Sequence, residues 1–182
     1  SSSGLKAGKD NSFFSVFPYL DAYKENDFIP ILTSLGCPYK CKYCASGYIQ
    51  KNHIERSNDS IMEEILHWKQ KYKVRDIAFY DDALLYNSDK RIKPLLKRVL
   101  EMRMKLNFHS PNGLNLKFID KELAGLMKLA GFKTLRFGFE SSIEKIQNDS
   151  GKKITNTEFA EKIKLLVDAG FTENEIGVYI LM

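Results

Sequence analysis

Apolar residues along this chain follow two periods that take turns. Short apolar or alternating runs predict strands in FIPILTS (28–34), RDIAFYDD (75–82), LNFHSP (106–111), TLRFGFE (134–140) and EIGVYILM (175–182). The intervening stretches change to a helical period. SIMEEILHWKQKY (60–72) sets Ile61, Ile65, Trp68 and Tyr72 on one stripe behind a capping box of Ser60 and Glu63. DKRIKPLLKRVLEM (89–102) does the same with Ile92, Leu95, Leu96, Val99 and Met102, and tolerates Pro94 because it lies near the start. DKELAGLMKLAG (120–131) closes on Gly131, and NTEFAEKIKLLVDAG (156–170) opens on a capping box of Thr155 and Glu158. The string AGF occurs at 130–132 and again at 169–171, each time ending a helix on glycine before a strand.

Strands alternating with helices predict an α/β fold, a parallel sheet of right-handed βαβ units, either open and doubly wound or curled into a barrel. Side-chain alternation favours the curled form. In TLRFGFE, Leu135, Phe137 and Phe139 share one face, while Arg136, Gly138 and Glu140 share the other. In the second and third strands the polar face carries Ala78, Tyr80 and Asp82, then Asn107 and His109. A sheet buried on both faces would be apolar on both; one polar face suits a barrel with a working interior. Both architectures put chemistry at the carboxyl ends of the strands. The loop after the first strand is long for such a connection and so marks function. Residues 1–27 are read as an N-terminal tail and 28–182 as one domain. The apolar run that stops at Met182 predicts a truncation after the fifth strand.

Composition changes this picture little: 43% apolar and 28% charged residues are ordinary for a folded globular chain. No apolar run is long enough to cross a bilayer, so no membrane partner is expected. The net charge of +5 comes from scattered lysines, which suit a solvated surface better than a nucleic-acid groove. Cysteine changes the picture most. LGCPYKCKYCASGY (35–48) holds Cys37, Cys41 and Cys44, and there is no other cysteine. An odd, clustered set is no disulfide framework; it implies a reducing, cytoplasmic compartment and a metal. Structural zinc wants four ligands, and His53 could complete a set of three cysteines and one histidine, in an alternative reading as a module that grips RNA through its lysines. A cubane iron–sulfur cluster normally takes four cysteines; three leave one iron open to a small molecule.

CPYKCKYC resembles the CxxxCxΦC signature of the radical S-adenosylmethionine (SAM) superfamily, Φ being Tyr43. With FYDDALLYN, SPNGLNL and LRFGFESS, the chain from Phe28 onward is similar to the cobalamin-associated iron–sulfur oxidoreductase group. The resemblance implies a partial (β/α)6 TIM-like barrel of the radical SAM type. It implies that Cys37, Cys41 and Cys44 each bind one iron of a [4Fe–4S] cluster, and that the methionine end of SAM chelates the fourth. Tyr43 would meet the adenine. Asp81 or Asp82 would stand where many members carry Gly-Gly-Glu to hold the methionine amine. Asn112 would reach the ribose, Glu140 and Ser141 the sugar or methionine part, and Tyr179 and Ile180 the adenine. One electron from an external flavodoxin- or ferredoxin-type donor would cleave SAM to a 5′-deoxyadenosyl radical that takes hydrogen from a substrate. Methyl and methylthio transfer both stay open, as do cobalamin dependence, the substrate and the oligomeric state. Beside these roles, Arg136 is read as pairing with Glu140 or another interior acid, His109 as a satisfied interior histidine, and His67 as a surface residue.

Overall fold

Helices that end on a left-handed glycine turn their chain straight into the next strand, and that device sets the order of this fold. In the computed structural model, which describes residues 14–23, 26–149 and 154–180, the chain begins with β1 (Phe28–Ile31), β2 (Ser34–Leu35), α1 (Ser46–Ile49), β3 (Ile54–Glu55) and α2 (Asn58–Tyr72). It continues with β4 (Asp76–Phe79), α3 (Ile92–Glu101), β5 (Asn107–His109) and α4 (Lys121–Ala130). It ends with β6 (Phe132–Glu140), α5 (Glu144–Asp149), α6 (Asn156–Asp168) and β7 (Ile176–Ile180). Gly131, at φ +102°, turns α4 into β6; a Cβ there would lie 2.3 Å from the Leu106 carbonyl oxygen, so only glycine fits.

Five strands form one parallel sheet in the order β1-β4-β5-β6-β7, which is their order along the chain. A doubly wound sheet reverses direction at a switch point, whereas strands laid down in sequence keep every right-handed crossover on one face. The fold is therefore the singly wound, partial TIM-like arrangement that strand alternation favoured. The helical face is dry: Ile29, Ile31, Ile77, Phe79, Phe108, Leu135 and Phe137 are all buried. Phe79 stacks on Phe108 with ring centres 5.3 Å apart, and Phe132 lies beside both. The opposite face is polar. His109 sits between Thr134 Oγ1 and Asp76 Oδ1, each at 3.0 Å, and Asn107 also donates to Asp76. His109 is thus the satisfied interior residue expected of it, and His67 is exposed. Arg136 differs from expectation. It lies across Gly177 of β7, where a Cβ would come within 2.7 Å of its Cδ, and donates to the Leu135 carbonyl.

The structure differs from the sequence reading at several element ends. α2 starts at Asn58, not at Ser60: extended Ser57 is the cap, its hydroxyl accepting from the Ser60 amide. Ser60 instead binds the Arg56 guanidinium from inside the first turn. The box of Thr155 and Glu158 on α6 is present in full. The strand expected over 28–34 breaks into β1 and β2, and the short helices α1 and α5 had no periodic signal long enough to read. Part of the expected tail is an arm: Leu20 is buried in the core, Phe17 packs against Trp68, and Asp21 binds Lys71 and Tyr72 of α2. Residues 1–13, and Leu181 and Met182 at the end of the last expected strand, lie outside the described residues. Among the described residues no helix is long and apolar enough to cross a membrane.

The loop from α6 into β7 is tied to α4 by Glu175, which accepts from Lys128 Nζ at 2.8 Å and from the Thr172 amide at 2.9 Å. The Lys128 ammonium, then the Thr172 amide, hold the Glu175 carboxyl down from its usual 4.5 to about 2. A carboxylate favoured in the folded state contributes stability fully above its unfolded value and loses it as pH falls through its folded one. The stability difference between the parent and Glu175→Gln should therefore be constant above about pH 4.5 and shrink toward pH 2, as read by urea denaturation at stepped pH.

Candidate functional site

The cysteine loop leaves the sheet because a buried carboxylate bends the chain there. Asp81, just past β4, is 2% exposed. It accepts from the Thr33 amide at 3.0 Å, the Thr33 hydroxyl at 2.6 Å and the Ser34 hydroxyl at 2.7 Å. Arg91 closes the cluster: its Nη2 donates to Thr33 Oγ1 at 2.7 Å and lies 3.6 Å from Asp81. Burial pushes the Asp81 carboxyl up, while the Thr33 and Ser34 donors and Arg91 pull it back. With Thr33 and Ser34 held sideways, the chain cannot continue β1. Instead Ser34 and Leu35 pair antiparallel with Glu55 and Ile54, and this two-rung stem closes the loop that carries the cysteines. Gly36 makes the neck possible at φ +72°, since a Cβ there would lie 2.7 Å from the Asn52 carbonyl oxygen. His53 Nδ1–H donates to the Gly36 carbonyl at 3.0 Å and its ring meets Tyr86 edge-on.

Within the loop, the Cys44 amide donates to the Cys41 carbonyl at 3.1 Å, and the Ser46 amide at 3.5 Å points at the Cys44 sulfur. Amide donors at a sulfur stabilise its thiolate and tune whatever it ligates. Burial pushes the Cys37 thiol up; the Tyr39 amide opposes this, and Asp82, Cys41 and Cys44 add repulsion. The repulsion that Asp82 and the other two cysteines add at Cys37 would be relieved by a cationic partner.

The three cysteines line one wall of a cavity of about 510 Å³ at the carboxyl ends of the strands. Tyr43, Asp82, Asn112, Glu140 and Tyr179 line it too. Tyr43 donates to Glu140 at 2.5 Å, which ties the loop to the end of β6. Asn112 is set by donating to the Tyr80 carbonyl at 2.8 Å, and Tyr179 by donating to the Pro111 carbonyl at 2.8 Å. Glu140 reaches the cavity from a backbone at φ +71°, where the pairing of β6 with β7 slips past Phe139. A non-glycine residue in that region costs about 1–2 kcal/mol, and such strain collects at functional sites.

Three expected site residues are not on this wall. The Asp81 carboxylate is consumed by Thr33, Ser34 and Arg91, so of the two adjacent acids Asp82 alone faces the cavity. Ser141 turns its hydroxyl to the Ile143 amide and its carbonyl to Gln147, holding the turn after β6. Ile180 follows Tyr179 on the strand and so points to the other face. Conversely, an aromatic wall was not anticipated: Tyr39, Tyr86 and Phe118 meet with ring centres 6.0–6.3 Å apart. Tyr39, inside the cysteine motif, and Tyr86, in FYDDALLYN, could have been suspected; Phe118 sits in a short 3₁₀ turn with no signal.

Among the described residues no three His, Cys, Asp or Glu side chains converge on a single ion. A lone zinc needs such convergence, whereas a cubane cluster places each thiolate on a different iron and keeps the sulfurs apart. The residues present therefore fit a cluster with SAM beside it: thiol donors on one wall, and a carboxylate, amides and aromatic rings across the same cavity.

Two variants should isolate the strain at Glu140. Glu140→Gly should be more stable to urea than Glu140→Ala by about 1 kcal/mol, since both lose the side chain and only glycine relieves the backbone. Asp81→Ala should cost on the order of 3 kcal/mol, by leaving Arg91 buried beside an empty site. It should also speed hydrogen exchange of the Thr33–Leu35 amides, read by mass spectrometry.

Residues 31–182 match the family described as the Radical SAM superfamily. The chain is 29% identical over 168 residues to an uncharacterized methyltransferase of Pyrococcus horikoshii, covering 89% of this chain and 35% of the relative. It is 32% identical over 92 residues to the ribosomal protein uS12 methylthiotransferase RimO of a Hydrogenobaculum species, covering 47% of this chain and 23% of the relative. In fold it is similar to the radical SAM methyltransferase TsrM of Kitasatospora setae, solved with tryptophan substrate and aza-SAM. The TM-score is 0.72 at 19% identity, with 87% of this chain and 31% of that chain covered. TsrM was also solved with cobalamin and a [4Fe–4S] cluster bound. The chain thus spans about a third or less of the length of these relatives.

Proposed function

Because the chain belongs to the radical SAM superfamily, we propose that its cavity holds a [4Fe–4S] cluster and SAM side by side and serves a methyl- or methylthio-transfer enzyme. The family uses both cofactors. The observation that carries the reading is that Cys37, Cys41 and Cys44 share one cavity with Tyr43, Asp82, Asn112, Glu140 and Tyr179. When bound, the two cofactors supply one-electron cleavage of the sulfonium–carbon bond and radical chemistry on a substrate. The protein's part is placement and exclusion of water.

Cys37, Cys41 and Cys44 hold three irons in this reading. Asp82, free of the clamp that occupies Asp81, accepts from the methionine ammonium of SAM, a charge-assisted contact. Glu140 and Asn112 take ribose hydroxyls, with Glu140 held by the Tyr43 phenol. Tyr39, Tyr86 and Phe118 keep water from the wall beside the cysteines. The names of the relatives favour transfer of a one-carbon unit. Use of cobalamin, which is bound in a TsrM structure, is carried by that likeness and by none of the residues described here. An external low-potential donor supplies the electron. The zinc-stabilised RNA-binding alternative is not favoured, since no single-ion set converges among the described residues.

Anoxic reconstitution should give about four irons and four sulfides per chain, with an electron paramagnetic resonance signal that added SAM perturbs. Cys41→Ala should lose both that perturbation and SAM cleavage. A reconstituted signal indifferent to SAM, or tight stoichiometric zinc in place of iron, would overturn the reading.

A further inference from the structure

Cys37, Cys41 and Cys44 border two hollows. Besides the main cavity, they and Tyr39 line a second one of about 360 Å³, whose lining comes entirely from the cysteine loop and includes none of the strand-end residues of the first. Its other walls are Lys40, Lys42, Lys51, Tyr48 and His53. All three lysines are exposed. The 19 residues from Leu35 to His53 carry those three lysines and no acid. The neighbouring Glu55 is a residue of the stem and lies within 4 Å of Arg91 and His53, so it is partly spent inside the fold. Beside the hollow, Tyr48 and Ile49 are 88% and 83% exposed. Two bare apolar side chains within a ring of like charge form a small protein-docking surface: the apolar pair supplies contact, and the charge selects and steers the partner.

We propose that this outer face of the cysteine loop is the docking surface for an acidic one-electron carrier protein of the flavodoxin kind, and that the electron enters through the cysteine wall rather than through the SAM cavity. The proposal rests on the reading that the cysteines hold an iron–sulfur cluster, and it adds where the donor binds and by which residues. The balance is simple: the carrier is oxidised by one electron, the cluster is reduced by one, and no proton or covalent bond is exchanged. Charge decides the occupant. Lys40, Lys42 and Lys51 favour an anionic face, and their position directly outside the cysteines brings a redox carrier as near to the cluster as the loop allows. Single-stranded RNA would answer to the same charge, but its phosphates gain nothing from proximity to the sulfurs.

The test uses the anoxically reconstituted chain and a bacterial flavodoxin, with association followed by biolayer interferometry at low and high salt. The parent should bind flavodoxin in a salt-sensitive manner. A Lys40→Glu, Lys42→Glu, Lys51→Glu variant should weaken binding at least about tenfold and slow cluster reduction by reduced flavodoxin to a similar degree. Reduction by photoreduced deazaflavin, small enough to need no docking, should be unchanged. The matching lysine-to-arginine variant should retain binding. Tyr48→Ala, which leaves the charges in place, should weaken binding with little change in its salt dependence. Iron-loaded protein whose glutamate variant binds flavodoxin as the parent does would overturn this inference and leave the cluster assignment standing. Preferential binding of an RNA oligonucleotide through these lysines would also overturn it, and a chain that takes up no iron would overturn both.

Discussion

A buried carboxylate that draws its donors from two consecutive residues of another segment governs the geometry of this site. Asp81 lies at the end of a central strand, and its oxygens are reached by an amide and two hydroxyls of Thr33 and Ser34, with the Arg91 guanidinium close behind. Such a group is costly to bury unless every lone pair is met, and here they are met only if the chain from β1 turns aside. The turn converts an ordinary strand-to-helix connection into a loop with its own two-rung stem. One contact thereby fixes the direction in which the cysteines project. It also leaves the next residue, Asp82, as the acid that lines the cavity.

This division of labour explains why the two acids could not be told apart in the sequence. Adjacent aspartates after a strand carry the same pattern whether the first or the second faces the ligand; which one is spent depends on Thr33 and Ser34, nearly fifty residues earlier. The fold itself was far more legible. Long helices announce themselves through their apolar stripe and caps, so α4 and α6 fall within a residue or two of their predicted ends, and the polar alternation in β5 and β6 separated a curled sheet from a doubly wound one. The losses were local. β2 and β3 have two residues each and no period at all, and α2 starts earlier than expected because Ser57 and Ser60 are equally plausible caps until Arg56 takes Ser60.

The site was legible where chemistry is concentrated in the chain and illegible where it is assembled across it. The cysteines and Tyr43 share a motif, and the cavity does gather them with Asp82, Asn112, Glu140 and Tyr179. Ser141 lies next to Glu140 but is drawn into the following turn, since β6 ends in a left-handed residue that redirects the backbone. That same conformation brings the Glu140 side chain to Tyr43. The strain and the contact are two sides of one arrangement, and the hydrogen bond to the loop offsets part of what the backbone loses.

On the proposed reading, the cysteine loop is a partition. On its inner side stand the carboxylates and amides suited to a charged nucleoside; on its outer side stand lysines and two uncovered apolar residues. A partition of this kind separates two requirements that conflict in a single cavity. Radical chemistry needs a site closed to water, whereas electron delivery needs a face open to a protein. Because the sulfurs lie in the wall itself, both requirements can be met within one loop, provided that the stem holds it rigidly. The stem is held by Gly36, which admits the close approach of Asn52, and by His53, whose ring binds the Gly36 carbonyl and rests on Tyr86 of the cavity wall. Through Nδ1 and its ring face His53 therefore joins the outer hollow to the inner aromatic wall, a mechanical role that its sequence position next to a cysteine cluster did not suggest.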